Sequence, residues 1–320
     1  MNLSQIIRKA RFEVDAIRAS GATSALWSDE EVIDDANTAM DRAARLLRLA
    51  DSAVLTKSMK STDAAVNLIS ETYNPASLAI VASTFDYTLP SDFVRVENII
   101  PLTTDFDGVR FVPATLHQRG WVDQSVLTAA DISPAQGSEQ IFYYTIIGAR
   151  TLRIRPLPPS AFDIELLYQY RPPRLQNYST GTIQLTLNST TVHGVGVTWQ
   201  SAGIRTPADL ITTSPNLVNI NTVYPRLSSL TNETDMVLAR AWPSENYTGT
   251  YHISMIPLLP DEHHSWLAQV TAAIMLRKVS PDLSEAALKD LDKQLTAEVQ
   301  PEIVIRQMQD SIPVDEYKAG

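Results

Sequence analysis

The sequence predicts an α+β fold in which helices from both ends of the chain form one discontinuous bundle. Apolar residues recur at helical spacing near the start and again after Pro260, whereas the period between them is two. Prolines at 172, 173, 257 and 260 bracket a Thr/Ser/Gly-rich stretch. The length of 320 residues, with 44% hydrophobic content, suits two or three globular domains.

Two helices are predicted near the start of the chain. The first covers residues 2–18 with Asn2 as its cap, and the second is the stretch "LWSDEEVIDDANTAMDRAARLL" at 26–47. Ser28 and Glu31 have the spacing of a capping box, and Trp27 precedes the cap as in a hydrophobic staple. The sequence pattern over residues 50–72 is ambiguous. It is compatible with a continuation of the second helix or with a third helix.

The middle of the chain is predicted to form β structure. Alternation after Pro75 predicts an antiparallel β region over 76–175, with a hairpin around Gly148. The segment 178–256 is predicted to be an inserted small β sandwich or barrel. Its further strands are expected at 217–223, 235–240 and 250–255.

Helical spacing returns after Pro260, with Asp261 as the predicted cap of the first C-terminal helix. Pro281 opens the next helix, and Pro301 is predicted to end it. The predicted organisation is a helical bundle from 1–75 and 258–300, a β region at 76–175, an inserted module at 178–256 and a tail at 301–320.

Composition excludes several classes of function. The chain has no cysteine, which rules out disulfides, thiolate metal sites and a cysteine nucleophile. No apolar run approaches the ~20 residues of a membrane span, and the first twenty residues lack a secretory core. The net charge of −10 disfavours DNA binding but suits a surface along which DNA passes without sticking. From 260 to 320, eleven acids face six bases, a net charge of −5.

No residue set predicts catalysis. The run "DEHHSW" offers metal ligands, yet adjacent residues on a helix point about 100° apart, so a solvated helix start is favoured. The glycines of "HGVGVTW" precede no helix and indicate a turn. Asp34 and Asp35, beside Arg42 and Arg45, indicate a solvated helix face. We therefore predict a protein that is not an enzyme and holds no cofactor or metal.

Three motifs follow one another along the chain. They are "WSDEE", "YTLPSDF" and "LRIRPLP", and their order resembles that of the head-to-tail adaptor (connector) proteins of tailed bacteriophages, especially short-tailed ones. The resemblance covers about residues 1–175 and more loosely 258–310. The residues that match are Trp27, Ser28, Asp29, Glu30, Glu31, Tyr87, Leu89, Pro90, Asp92, Phe93, Leu152, Ile154, Pro156 and Pro158.

This resemblance implies a structural virion protein of the phage neck. Such adaptors form a ring, a dodecamer, beneath the portal protein and join capsid to tail around the channel through which the genome is ejected. The implied partners are copies of the chain, the portal protein, and tail nozzle or tail fibre proteins. DNA passes without sequence-specific binding, no membrane is involved, and assembly takes place in the host cytoplasm.

The C-terminal tail is the candidate portal-binding segment, because in the similar family this tail orders against the portal. Docking of the tail on its own bundle is the alternative and stays open from sequence. The candidate residues are Ile303, Val304, Ile305, Met308 and Ile312.

The segment 178–256 is similar to Thr/Gly-rich β modules of phage structural proteins. The matching residues are Thr180, Gly181, Thr182, Ile183, Val192, Gly194, Gly196 and Trp199. Such a module can be a surface arm that contacts capsid or tail fibres. Two alternatives remain: another structural protein of the tail, baseplate or capsid decoration, and a glycan-binding or hydrolytic tail protein. The second is motivated by this module and by Trp199 and Trp242.

Overall fold

The computed structural model describes residues 1–18, 27–49, 55–67, 72–102, 109–114, 140–212 and 225–310. The chain divides into two compact units, one formed by Met1–Val54 with Pro172–Gly320 and the other by Leu55–Arg171. We call them the helix–sheet unit and the β unit. Together they confirm the predicted α+β class, with N- and C-terminal helices packed together.

Four helices lie in the described part of the helix–sheet unit. Their bounds are α1 Leu3–Arg18, α2 Asp29–Leu49, α3 His263–Leu276 and α4 Pro281–Asp310. The central helix is α3, which packs against each of the other three and is buried on nearly every side. The discontinuous bundle predicted from periodicity is therefore present. None of the described helices is long and apolar enough to cross a membrane.

The N-terminal helices begin as their caps predict. In α1, the Asn2 side chain accepts a hydrogen bond from the Gln5 backbone N–H at 2.9 Å, and Gln5 accepts one from the Asn2 N–H at 3.0 Å. In α2, Glu31 N–H donates to Ser28 Oγ at 3.2 Å, and Ser28 N–H donates to the Glu31 carboxylate at 3.0 Å. Each reciprocal pair satisfies two backbone donors that the helix leaves free.

The start of α3 differs from the prediction that Asp261 caps it. Glu262 occupies the cap position with helical backbone angles and makes no side-chain capping bond. The backbone N–H groups of His263 and His264 donate instead to the carbonyls of Pro260 and Asp261. The turn that leads into the helix thus satisfies these donors without a carboxylate cap.

The prediction that Pro301 ends the last helix is wrong, because α4 continues through it to Asp310. A proline inside a helix removes one hydrogen bond and costs about 3 kcal/mol, but the helix can continue beyond it. The Glu, Arg, Gln and Met residues that follow have high helix propensity.

Strands of the β unit form one three-stranded sheet, one four-stranded sheet and a short hairpin. The three-stranded sheet has the order β1–β9–β5, and the four-stranded sheet has the order β4–β8–β7–β6 with a parallel β6–β7 pair. The bounds are β1 Thr56–Lys60, β2 Val66–Asn67, β3 Thr72–Tyr73, β4 Asp86–Thr88, β5 Phe93–Pro101, β6 Val109–Pro113, β7 Gln140–Ile147, β8 Thr151–Arg155 and β9 Ile164–Tyr170.

Two features of the β unit bear on the predictions. The hairpin β7–β8 turns at Gly148, as predicted. The stretch at 50–72, for which a helix was left open, contains strands from Thr56 onward, so β structure starts before residue 75. A short 3-10 helix covers Pro75–Leu78 and is capped by the Asn74 side chain.

The second half of the helix–sheet unit is an eight-stranded antiparallel sheet. Its order is β10–β17–β13–β14–β15–β12–β11–β16. The bounds are β10 Asn177–Tyr178, β11 Thr182–Leu185, β12 Thr191–Val195, β13 Ala208–Thr212, β14 Arg226–Leu230, β15 Asp235–Leu238, β16 Tyr247–Gly249 and β17 Tyr251–Met255. Strands predicted at 235–240 and 250–255 are confirmed by β15 and β17, whereas 217–223 lies outside the described residues.

Hydrogen bonds join the start of α1 to this sheet. The Asn2 side chain donates to Asp209 at 3.0 Å, and the backbone N–H of Ser4 donates to Ser254 Oγ at 2.9 Å. Ser254 in turn donates to the Asn177 side chain at 2.9 Å. Residues 178–256 therefore share one compact unit with the helices, and these buried contacts set the position of α1 on the sheet.

Candidate assembly surfaces

The "WSDEE" motif connects helices α1, α2 and α3. Arg11 of α1 donates to Asp29 at 2.6 Å and to the carbonyl of Trp27 at 3.2 Å. Glu31 accepts a hydrogen bond at 2.6 Å from Lys278, which follows the end of α3. The motif therefore supplies a helix cap and also fixes how three helices meet.

The "YTLPSDF" motif forms part of the interior of the β unit. Tyr87 is buried and its hydroxyl donates to the Thr84 carbonyl at 2.9 Å, while burial raises the pKa of this phenol. Asp92 is also buried, accepts a hydrogen bond from Tyr168 at 3.1 Å and pairs with Lys57 at 3.3 Å. These contacts satisfy a buried carboxylate, so the motif is structural.

The "LRIRPLP" motif belongs to the same core. Leu152 and Ile154 are fully buried on the inner face of β8. On its other face, Arg153 makes a two-point ion pair with Asp86 of β4, at 2.7 and 2.8 Å. Leu152 and Ile154 thus face the interior and Arg153 faces outward. Arg155 departs from the alternation, because it is itself buried.

Glycine and tryptophan positions of the module motif have steric roles. A Cβ atom at Gly194 would lie 2.7 Å from the Trp199 ring, and one at Gly181 would lie 2.5 Å from the Val195 carbonyl. Gly181 also has φ of +81°, a region that favours glycine. The indole of Trp199 is buried and donates to the Tyr251 hydroxyl at 2.7 Å.

The two tryptophans that motivated the glycan-binding alternative are not exposed at the surface. Trp199 and Trp242 are both buried, and the Trp242 indole donates to the Glu245 carbonyl at 2.8 Å. Stacking on a sugar needs an exposed ring face, which neither residue offers. The observation behind that alternative is therefore explained by packing.

The "DEHHSW" run is only partly solvated, in contrast to the prediction. His263 and His264 are buried, and His264 Nε2 lies 3.0 Å from the Leu259 carbonyl. Burial lowers the pKa of His264, which favours the neutral ring. Within the described residues, no group of three or more His, Asp or Glu side chains is placed to hold a metal.

A groove of about 410 Å³ lies between α2 and the end of α3. Its walls include apolar side chains such as Trp27 and Met275, and Asp35 lies half-buried in it. Burial raises the pKa of Asp35 to about 6, and the nearby Glu31 carboxylate adds to the effect. The prediction of a solvated helix face therefore holds for the exposed Asp34 but not for Asp35.

The paired charges of Arg42 and Asp292 join α2 to α4. Two hydrogen bonds link them, from Arg42 Nε at 2.7 Å and from its terminal nitrogen at 2.5 Å. Both side chains are about one-third exposed or less, and the pairing raises the pKa of Arg42. This two-point ion pair lies about one turn before Leu295, a buried residue of α4.

Beyond Leu295, α4 continues for fifteen residues, or about 22 Å at 1.5 Å per residue. Four of the five candidate tail residues lie in this part of the helix, namely Ile303, Val304, Ile305 and Met308. Ile312 lies outside the described residues.

Sequence reasoning missed three exposed apolar side chains of the helical bundle. Phe12 of α1 is 74% exposed, Val279 in the turn between α3 and α4 is 46% exposed, and Leu283 in the first turn of α4 is 56% exposed. A signal for Phe12 was available, because it falls about half a turn from the apolar stripe that begins at Leu3. Single exposed apolar side chains are common on protein surfaces, so their exposure alone does not identify a contact surface.

The three motifs therefore build the framework of the fold, because they cap α2, join three helices and fill the core of the β unit. The chain belongs to the SU10 adaptor protein family, whose model matches residues 1–199. This is a family of phage adaptor proteins, as the motif order implied. The match covers α1, α2, the β unit and the module as far as Trp199. No curated protein matches the chain.

Proposed function

We propose that this chain is a structural virion protein that forms a ring beneath the portal and joins capsid to tail around the DNA channel. The observation that carries the proposal is membership of the adaptor family over residues 1–199, which include all three motifs. A structural role fits motif residues that cap helices and fill the core. The proposed site of action is the neck of the phage particle.

The charge of the chain supports a role around passing DNA. The net charge is −10, and acids outnumber bases in the C-terminal helices. A ring lined by carboxylates repels phosphates and lets the duplex slide instead of holding it. DNA is therefore proposed to traverse the ring without sequence-specific contact.

The distal part of α4 is the proposed contact with the portal. Its backbone runs past Leu295 as helix, and its sequence carries Ile303, Val304, Ile305 and Met308. If docking orders this segment further, the apolar contacts must exceed roughly 1 to 2 kcal/mol of backbone entropy per ordered residue. Docking of the same residues on the chain's own bundle is the competing arrangement.

Truncation after Gln300 separates these two arrangements. We expect the shortened chain to lose portal binding while its melting temperature stays within about 2 °C, because Leu295 and the Arg42–Asp292 pair remain. A large loss of thermal stability with binding retained would instead show that the segment docks on its own bundle.

The eight-stranded sheet is proposed to contact tail nozzle, tail fibre or capsid proteins, because it adds a surface to the adaptor framework. A decoration or baseplate protein remains the second candidate function. The two differ in what the chain binds first, the portal or the assembled capsid face.

The proposed function is tested by mixing the purified chain with the portal protein encoded in the same genome. We expect a larger complex on size exclusion, ring-shaped particles in negative stain, and twelve copies of the chain per ring by native mass spectrometry. Bovine serum albumin in place of portal protein is the control. No complex at micromolar concentrations of both proteins would refute the adaptor assignment.

A further inference from the structure

Two exposed apolar surfaces lie on different helices of the bundle. The first, here the Phe12 surface, consists of Arg8, Phe12 and Asp15 on α1. The second, here the α4 corner, consists of Val279, Asp282, Leu283 and Ala286. All seven residues are exposed.

The Phe12 surface faces away from the bundle. The buried stripe of α1 contains Leu3 and Ala10, and Phe12 lies about half a turn around the helix from it. Arg8 is one turn before Phe12 and has no ion-pair partner among the residues that the structure describes. A groove of about 470 Å³ runs beside the two side chains. The exposed Phe12 ring leaves apolar area in water, so its burial in a contact is favourable, and Arg8 beside it can supply an ion pair across that contact.

The α4 corner lies at the start of the helix. Asp282, Leu283 and Ala286 lie within about a third of a turn of one another on α4, and Val279 lies in the turn that precedes the helix. The face of α4 that packs on the bundle is a different one, which contains Leu288 and Leu295. The corner thus combines exposed apolar side chains with the carboxylate of Asp282, for which the described part of the chain offers no ion-pair partner.

Arg8 and Asp282 carry opposite charges, and the helices that hold them do not pack side by side within the described part of one chain. Helices α1 and α4 each pack against α3, and they make no extensive contact with one another in the described residues. A two-fold dimer pairs each patch with itself, whereas two different patches that fit one another generate a head-to-tail series. The occupant that satisfies both surfaces at once is a second copy of this chain.

We propose that Phe12 of one copy packs on the α4 corner of the next, with Arg8 of the first copy paired to Asp282 of the second. The proposal rests on the proposed ring and deepens it by naming the lateral contact. A phenylalanine buries roughly 150 to 250 Å², and a stable interface needs about 800 Å² per partner. The contact is therefore an anchor within a wider interface, so free chains associate weakly.

Cross-linking tests the proposal, because the chain has no cysteine and each engineered thiol is the only one present. The variants Phe12→Cys and Leu283→Cys are mixed, assembled with portal protein and treated with a flexible bis-maleimide. We expect a cross-linked dimer from the mixture and none from either variant alone. A chain that carries both substitutions should give a ladder of higher oligomers. The matched control is Leu187→Cys, a comparably exposed apolar position on the sheet, mixed with Phe12→Cys.

Charge reversal gives a second measurement. Arg8→Glu should weaken self-association by about two- to fivefold, the range of an exposed ion pair. Asp282→Arg in the same chain should restore it. Restoration by the second change cannot come from a folding defect, and circular dichroism of each variant checks the fold directly.

Three results would overturn the contact. If the complex with portal forms but the Phe12–Leu283 cross-link stays at the level of the Leu187 control, the lateral contact is elsewhere while the proposed function stands. If Phe12→Cys cross-links to itself, the packing is two-fold. If the unsubstituted chain never self-associates, alone or with portal protein, both the contact and the ring are refuted.

Discussion

Replacement of Asp35 by asparagine should stabilise the helix–sheet unit at neutral pH. The pKa of this carboxyl is raised from the usual 3.8 to about 6, chiefly by burial in the groove between α2 and α3. Glu31 and Asp34 raise it further, whereas Lys278 and Arg277 lower it. The ionised form is therefore the one that the folded protein disfavours.

The sign and size of the effect follow from linkage between protonation and folding. The pKa of the Asp35 carboxyl is higher in the folded state than in the unfolded state. The stability that this group contributes is therefore fully present below about pH 4 and is lost as the pH rises through about 6. At 1.36 kcal/mol per pKa unit, the full penalty is about 3 kcal/mol, and partial exposure reduces it to roughly 1 to 3 kcal/mol. For a unit of this size, each kcal/mol corresponds to about 2 to 4 °C in melting temperature.

The assay is thermal unfolding from pH 4 to pH 8, followed by tryptophan fluorescence. Four of the five tryptophans lie in the helix–sheet unit, so the signal reports mainly on that unit. Asp35→Asn should melt higher than the unsubstituted chain above pH 6 and at the same temperature near pH 4. Asp34→Asn, at the exposed neighbouring position, is the control and should change little. Identical pH profiles for Asp35→Asn and the unsubstituted chain would refute the reasoning.

Three further predictions follow from the contacts. Arg42→Ala should lower the free energy of unfolding by about 1 kcal/mol through loss of the Asp292 pair. A double-mutant cycle with Asp292→Ala should assign most of that loss to the interaction between the two side chains. Gly194→Ala should cost about 1 to 3 kcal/mol in urea unfolding, because the added methyl lies 2.7 Å from the Trp199 ring; unchanged stability would show that the ring moves aside freely. Replacement of 178–256 by a Gly/Ser linker should leave the helices folded but less stable, because α1 loses its hydrogen bonds to the sheet; complete loss of the helical circular dichroism signal would show that the sheet is part of the same core.

Local signals predicted the parts of the fold that depend on neighbours in sequence. The capping box at Ser28 and Glu31, the buried stripe of α1 and the turn at Gly148 all depend on residues within a few positions of one another. The order of the three motifs indicated the family for the same reason, because each motif builds one helix start or strand. These features needed no knowledge of what the elements later pack against.

Two of the predictions that failed, those for Asp35 and for the "DEHHSW" run, depend on long-range packing. Asp35 is half-buried because the end of α3 lies beside α2, and that approach joins residues more than 200 positions apart. His264 is buried for a similar reason, since it packs inside the bundle and not at its rim. Pro301 was a local signal that the surrounding helix formers outweigh. Periodicity within a window does not carry this information.

The central position of α3 delays the folding of the helical core during synthesis. Lys278, the partner of Glu31, is synthesised 247 positions after it, and Asp292, the partner of Arg42, is synthesised 250 positions after it. At 5 to 20 residues per second, a ribosome needs roughly 12 to 50 s to make that interval. For this time α1 and α2 lack α3, the helix against which both of them pack, whereas the β unit encoded between α2 and α3 is already synthesised. Apolar surface that later packs on α3 therefore stays open to contact with other chains for tens of seconds.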